Sequence, residues 1–142
     1  MKIKQAKTKT ELDKAYELLE EVFIDEVGLT KKELRKYDEQ NVDTYLVLLK
    51  DQVVSVVQVF FENGNITMDW LATREEYRGK GYAKKLMDYI LEKLSKQDIE
   101  KVEINSHIDL VSLYQDWGFE KTGEPKPDES GEMHVEMEYR FN

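Results

Sequence analysis

The chain changes its hydrophobic period at residue 81, and few folds accept that change. Between residues 44 and 73, β-branched and aromatic residues come in three extended runs, 44–49, 52–61 and 66–73. Lys50-Asp51 and Asn63-Gly64-Asn65 separate them and read as hairpin connections. From Gly81 onward Ala83, Leu86, Met87, Ile90, Leu91 and Leu94 fall at i, i+3, i+4, i+7, i+8 and i+11, the broad apolar face of a helix. Residues 101–105 read as a short strand. A meander that ends in a strand–helix–strand unit implies a right-handed crossover, with the strands around Leu71 and Val102 parallel. The expected fold is a mixed sheet with helices on its faces.

The flanking elements complete the order β, α, α, β, β, β, α, β, α, β, β. Residues 2–6 alternate and suit an edge strand. Thr10, with Asp13 three residues on, offers a helix N-cap. Leu12, Tyr16, Leu19, Val22 and Phe23 follow at helical spacing, and Gly28 ends that helix. Thr30-Lys-Lys-Glu33 starts a second, short one. Residues 110–117 suit a short helix closed by Gly118. Residues 119–121 and 134–141 suit strands. Residues 123–131 hold both prolines and two glycines and read as a surface loop.

The 142 residues allow one domain, 1–142. With no cysteine, disulfides, thiolate zinc sites and a thiol nucleophile are excluded. His107 and His134 lack metal-ligand spacing, so no metal is expected. The formal charge of −9 argues against nucleic-acid binding. It suits a cationic partner such as an amine, or serves solubility alone. The N-terminus has no apolar signal segment, and no apolar run approaches the ~20 residues a membrane span needs. The expectation is a cytoplasmic protein with no membrane partner.

Chemistry concentrates in residues 70–83, where a strand runs into Gly79-Lys80-Gly81 and a helix opens. Glycines let the backbone approach a ligand closely. Free amides at a helix start form an anion site. Arg74, Arg78, Lys80, Lys84 and Lys85 face only Glu75 and Glu76 in this stretch, a local +3 in an acidic chain. Charge alone fits a bound phosphate group and a solvated basic helix start equally. A P-loop pattern is absent, and Gly79-Lys-Gly81-Tyr-Ala-Lys84 fails the dinucleotide fingerprint at its third position.

Arg78-Gly-Lys-Gly81-Tyr-Ala83 resembles the R/Q-x-x-G-x-G/A motif of the GNAT-superfamily N-acetyltransferases. Leu71-Ala-Thr73 resembles that family's fourth strand. Asn105 and Leu113-Tyr114-Gln-Asp-Trp-Gly118-Phe119 are similar to its N…(F/L)-Y-x-x-x-G-F/Y segment. Val22-Phe23-Ile-Asp-Glu26 and His134-Val-Glu-Met137 resemble a small bacterial group with V-F-x-x-E and a C-terminal H-x-x-M. That group's E-Q reads Glu26-Val27 here, and its G-I-P-H reads Gly131-Glu-Met-His134. The resemblance implies an α/β (α+β by some schemes) domain with a mostly antiparallel sheet of about six or seven strands and about four helices.

It also implies acetyl-CoA as cosubstrate and an acyltransferase moving acetyl to a primary amine, on a small molecule or a protein. A homodimer is common in the superfamily. Backbone groups of Leu71, Ala72 and Thr73 would flank the pantetheine, with Asn105 on its far side. Amides of Gly79, Lys80, Gly81, Tyr82 and Ala83 would hold the pyrophosphate, with charge from Arg78 and Lys84. Tyr114 matches the family's general acid. Thr67 stands where some members carry a glutamate base. Asp69, two residues on and on the same strand face, is the candidate base here, with Glu103 or His134 reached through water as rivals. Glu26, with Glu21, and His134 are candidates for the acceptor side. A CoA-binding sensor with little catalysis is the alternative, and Tyr114→Phe separates the two.

Overall fold

The computed structural model describes residues 1–34 and 41–141. Residues 35–40 and 142, within the domain expected over 1–142, lie outside the described residues. In chain order the elements are β1 (Lys2–Gln5), α1 (Lys9–Leu19), α2 (Lys31–Leu34), β2 (Val42–Leu49), β3 (Gln52–Glu62) and β4 (Asn65–Thr73). They continue as α3 (Tyr82–Ser95), β5 (Lys101–His107), α4 (Val111–Asp116), β6 (Glu120–Lys121), β7 (Lys126–Pro127) and β8 (Met133–Arg140). The strands form one sheet in the order β1-β2-β3-β4-β5-β8-β6, with β7 also on β8. Only the β4–β5 pair is parallel among those described.

The expected mixed, mostly antiparallel sheet is present, with eight described strands where six or seven were expected. The short β7 falls inside the stretch read as loop 123–131, where Lys126 and Pro127 pair with His134 and Met133. The first cap differs too. Thr8, not Thr10, caps α1: its hydroxyl accepts from the Glu11 amide at 3.1 Å. The Thr8 amide in turn donates to the Glu11 carboxylate at 3.1 Å, closing a capping box. Glu11 reaches back where the shorter Asp13 would not. Lys4 and the amides of Lys7 and Thr8 hold the Glu11 carboxyl down at about 2. Past Leu19 the helix continues as a π-helical segment, Glu20–Glu26, and Gly28 turns out of it at φ +96°.

The sheet separates two cores. On one face α1 and α2 cover Leu46, Val53, Val56 and Ala72. On the other, α3 and α4 cover Val57, Val59, Ile66, Met68, Val102 and Ile104. Leu86, Met87, Ile90, Leu91 and Leu94 of α3 are buried, as their spacing predicts. Gln58, a buried polar residue, donates to Tyr16 Oη and Thr44 Oγ1, each at 3.1 Å, which removes most of its burial cost.

Thr8→Ala is expected to cost about 1 kcal/mol by loss of the cap. That amounts to a fall of roughly 2–4 °C in melting temperature for a domain of this size. Thr10→Ala, inside the helix, is expected to leave the melting temperature nearly unchanged. Thermal unfolding of the two variants distinguishes the caps.

Candidate active site

β4 positions the site because it does not stay regular. Its register against β3 runs Phe60↔Thr67, Val59↔Met68 and Gln58↔Asp69, then jumps to Val56↔Ala72. Trp70 and Leu71 therefore stand opposite Val57 with no partner of their own. Trp70 has φ +56°, the left-handed region that a bulky residue adopts only when its surroundings hold it there. The Asp69 carboxylate accepts from the Trp70 amide at 2.8 Å. The Trp70 ring meets Phe23 of the π-helical segment edge-on, at 5.0 Å between centroids. Its indole N–H is buried without a partner among the described residues.

The bulge exchanges the faces of β4. Ile66 and Met68 lie in the core under α3, whereas Trp70 and Ala72 pack toward α1. On its other side β4 pairs with β5 at Thr67↔Glu103, before the bulge, and the register extends no further. The parallel pair expected around Leu71 and Val102 thus forms at one end only. Beyond it, β4 carries Asp69 to Thr73 and β5 carries Asn105 without cross-strand partners between them.

Asp69 is open to water yet closely surrounded by protein, and this crowding raises its pKa above the ordinary carboxylate value. The Trp70 amide and the charge of His134 oppose the rise. Tyr114 on α4 is buried, edge-on to Trp117 at 5.4 Å and Phe119 at 5.6 Å. Burial, with the Asp69 charge, pushes its phenol up to about 12. Asp69, Tyr114 and His134, far apart in the sequence, are thus electrostatic neighbours. At neutral pH Tyr114 is a hydrogen-bond donor.

β4 then leads through a 3-10 turn, Glu75–Tyr77, into the glycine turn. Gly79 has φ +76° and Gly81, the α3 N-cap, has φ +85°. Both have open space where a Cβ would stand. The first α3 bond runs from the Lys85 amide to the Gly81 carbonyl at 3.1 Å, and no side chain caps the end. The amides of Tyr82, Ala83 and Lys84 therefore point out of a 14-residue helix without intrahelical partners, the geometry that suits an anion.

The charges nearby are arranged differently from the expectation. Arg78 donates from Nε to the Thr73 carbonyl at 2.8 Å and from Nη2 to Glu26 at 2.9 Å, and the Glu26 bond raises its pKa. Arg74 Nη1 lies 3.0 Å from both carboxylate oxygens of Glu21. Lys84 bonds Asp88 at 2.8 Å. Lys80 and Lys85 lie over the rings of Tyr77 and Tyr82. A cofactor-side candidate, Arg78, and an acceptor-side candidate, Glu26, therefore hold each other. No sequence signal marks these pairs, which span 53 and 52 residues. The bulge at Trp70 was likewise not legible.

His134 on β8 lies 2.9 Å from Asp128 and faces the His107 ring at 5.5 Å. Among the described residues no three His, Cys, Asp or Glu side chains form a metal-binding group, and no helix is long and apolar enough to cross a membrane.

Residues 5–141 match the family model described as an acetyltransferase (GNAT) domain. No curated protein matches the chain. Among solved structures, a candidate N-acetyltransferase from Lactobacillus plantarum is similar at 21 % identity and TM-score 0.90, covering 99 % of this chain and 98 % of that one. An acyl-CoA N-acyltransferase from Pseudomonas aeruginosa follows at 18 % and 0.85, covering 98 % and 99 %. An aminoglycoside 6'-N-acetyltransferase complexed with coenzyme A is similar at 12 % and 0.80, covering 99 % and 97 %.

The raised pKa of Asp69 has a consequence for stability. The fold favours its protonated form, so its contribution is full below the unfolded-state value and is lost as pH rises through the folded one. Asp69→Asn is expected to melt at a higher temperature than the unaltered chain at pH 7. The difference should close by pH 3, where both states carry the proton. Thermal unfolding at the two pH values checks the sign.

Proposed function

We propose that this chain, which belongs to the GNAT acetyltransferase family, moves an acetyl group from acetyl-CoA to a primary amine by direct attack in a ternary complex. Family membership makes it an acyltransferase that works with an acyl-CoA and an amine acceptor. The acetyl group and the roles below are inferred from the chain's own residues.

The supporting observation is that one bulged strand carries Asp69 into electrostatic range of Tyr114 and leads directly to the uncapped start of α3. In this reading the amides of Gly79, Lys80, Gly81, Tyr82 and Ala83 hold the pyrophosphate. Lys84 adds charge, and Arg78 adds it from its pairing with Glu26. Leu71, Ala72 and Thr73 line one side of the pantetheine, and Asn105 the other. The Thr73 carbonyl already accepts from Arg78, so Leu71, unpaired against β3, is the main added-strand partner.

The acceptor arrives as an ammonium. Asp69 holds it by charge and accepts its proton, a role its raised pKa suits. The neutral amine attacks the thioester carbon, and backbone N–H at the β4 bulge steadies the oxyanion. The nitrogen of the tetrahedral intermediate gives its second proton to water, and CoA departs as a thiolate. Tyr114 Oη–H donates a hydrogen bond to that sulfur, although full proton transfer from a phenol at about 12 to a thiolate is uphill. Glu26 and His134 border the acceptor side. The amine is on a small molecule or a protein, and the acidic chain suits a cationic one.

Acetyl-CoA at about 100 times its dissociation constant is expected to add ~2.7 kcal/mol of stability. That is roughly 5–11 °C in melting temperature, with NAD and ATP giving no comparable shift. Tyr114→Phe is expected to keep this shift while thiol release with an amine panel falls about 10²- to 10⁴-fold. A melting temperature that acetyl-CoA does not move would contradict the proposal. Full turnover in Tyr114→Phe would remove Tyr114 from it.

A further inference from the structure

His134 carries a nitrogen that the fold does not use. Its Nε2 lies 2.9 Å from Asp128 Oδ2. An ionised carboxylate only accepts, so Nε2 holds the ring hydrogen. In the neutral ring Nδ1 is then a bare lone pair, and this atom is buried with no hydrogen-bond partner among the described residues. Buried polar atoms without partners are rare and costly. His107 is the contrast. Its Nδ1 accepts from the Asp109 amide at 3.1 Å and its Nε2 donates to Glu132 at 2.8 Å, so both nitrogens are engaged.

Asp128 is built to hold that tautomer. Its Oδ1 accepts from Ser130 Oγ at 2.6 Å, the Ser130 amide at 2.8 Å and the Glu132 amide at 3.0 Å. The Ser130 hydroxyl above all, with the two amides and His134, keeps its carboxyl below the usual range. One oxygen therefore anchors the turn and the other anchors the imidazole. The charged neighbours of the His134 ring come from several elements. Asp69 on β4 interacts with it by charge, and His107 on β5 meets it edge-on. Lys126 on β7 is its register partner, Glu132 lies behind His107, and Glu136 is two residues along β8.

We propose that His134 Nδ1 is a second proton acceptor of the active site, beside Asp69, and that Asp128 is the positioning residue that keeps it bare. The proposal rests on the transferase reading and deepens it. An N–H bond of the acceptor ammonium breaks, and an Nδ1–H bond forms. The amine becomes neutral and attacks; the imidazolium stands between Asp128 and Asp69 and later returns the proton to water.

Asp128→Asn tests this with little change of shape. The asparagine Oδ1 keeps the three turn bonds, which places Nδ2–H opposite His134 Nε2. Nε2 must then accept, and the ring hydrogen moves to Nδ1. Long-range ¹H–¹⁵N spectra of the neutral imidazoles read the tautomer directly, and His107→Gln assigns the two rings. The expected result is Nε2–H in the unaltered chain and Nδ1–H in Asp128→Asn. Nδ1–H in the unaltered chain, or no change in the variant, overturns the proposal.

With acetyl-CoA and spermidine as the probe pair, Asp128→Asn and His134→Gln are each expected to lower kcat/KM for spermidine about 10²- to 10⁴-fold at pH 7. The loss should shrink as pH approaches the amine's own pKa, with KM for acetyl-CoA unchanged. Unchanged kcat/KM in both variants overturns the catalytic role, as does a loss independent of pH. No thiol release from the unaltered chain with spermidine, methylamine or lysine contradicts the transferase reading instead. The tautomer measurement then still decides whether Asp128 holds Nδ1 bare.

Discussion

Trp70 sits in β4 with a left-handed backbone, and the extra residue this introduces sets the geometry of the cleft. A bulge bends its strand and sharpens the twist. Here the bend comes after the parallel contact with β5 at Thr67↔Glu103, so the two strands share one end and part at the other. The strained residue is held from both sides. Phe23 packs edge-on against its ring. Ser55 Oγ on β3 donates to the Ala72 carbonyl at 3.1 Å and lies 3.0 Å from Thr73 Oγ1, re-fastening β4 just past the irregularity. Without that support a bulky residue at positive φ would relax, and the alternation of β4 would change face with it.

Helix one takes part in the same construction. Its π-helical segment carries Phe23 against Trp70, and Glu21 and Glu26 against Arg74 and Arg78. The two arginines flank the 3-10 turn that connects β4 to the glycine turn. Half-exposed ion pairs of this kind contribute little to stability singly. Their effect is to fix where the loop stands and to offset part of its basic charge. On the proposed reading, anion binding then rests mainly on backbone amides at the start of α3, which hold their direction whatever the salt concentration.

Period and turn chemistry made most of the fold legible. The switch at Gly81 located α3 with each of its five buried residues, and the hairpin signals located β2, β3 and β4. The parallel crossover followed from connection rules alone. The glycine turn was legible because a local motif carries it. Several features were not. A bulge at a tryptophan leaves no trace in an alternating pattern, since Trp70 suits either face of a half-buried strand. The partners of Arg74, Arg78 and His134 are set by tertiary approach. Thr8 and Thr10 are both good caps, and only the reach of the residue three positions on distinguishes them. The short β7 sits among prolines and charges, and its pairing with β8 comes from β8 rather than from its own composition.

Amide hydrogen exchange, resolved by residue with and without acetyl-CoA, tests most directly whether the parted strands and the start of α3 form one binding cleft. Slowed exchange at Leu71 and over residues 79–84, with the turn at residues 128–132 unchanged, is the predicted pattern. Protection elsewhere, with the amides of residues 79–84 exchanging as before, would contradict it.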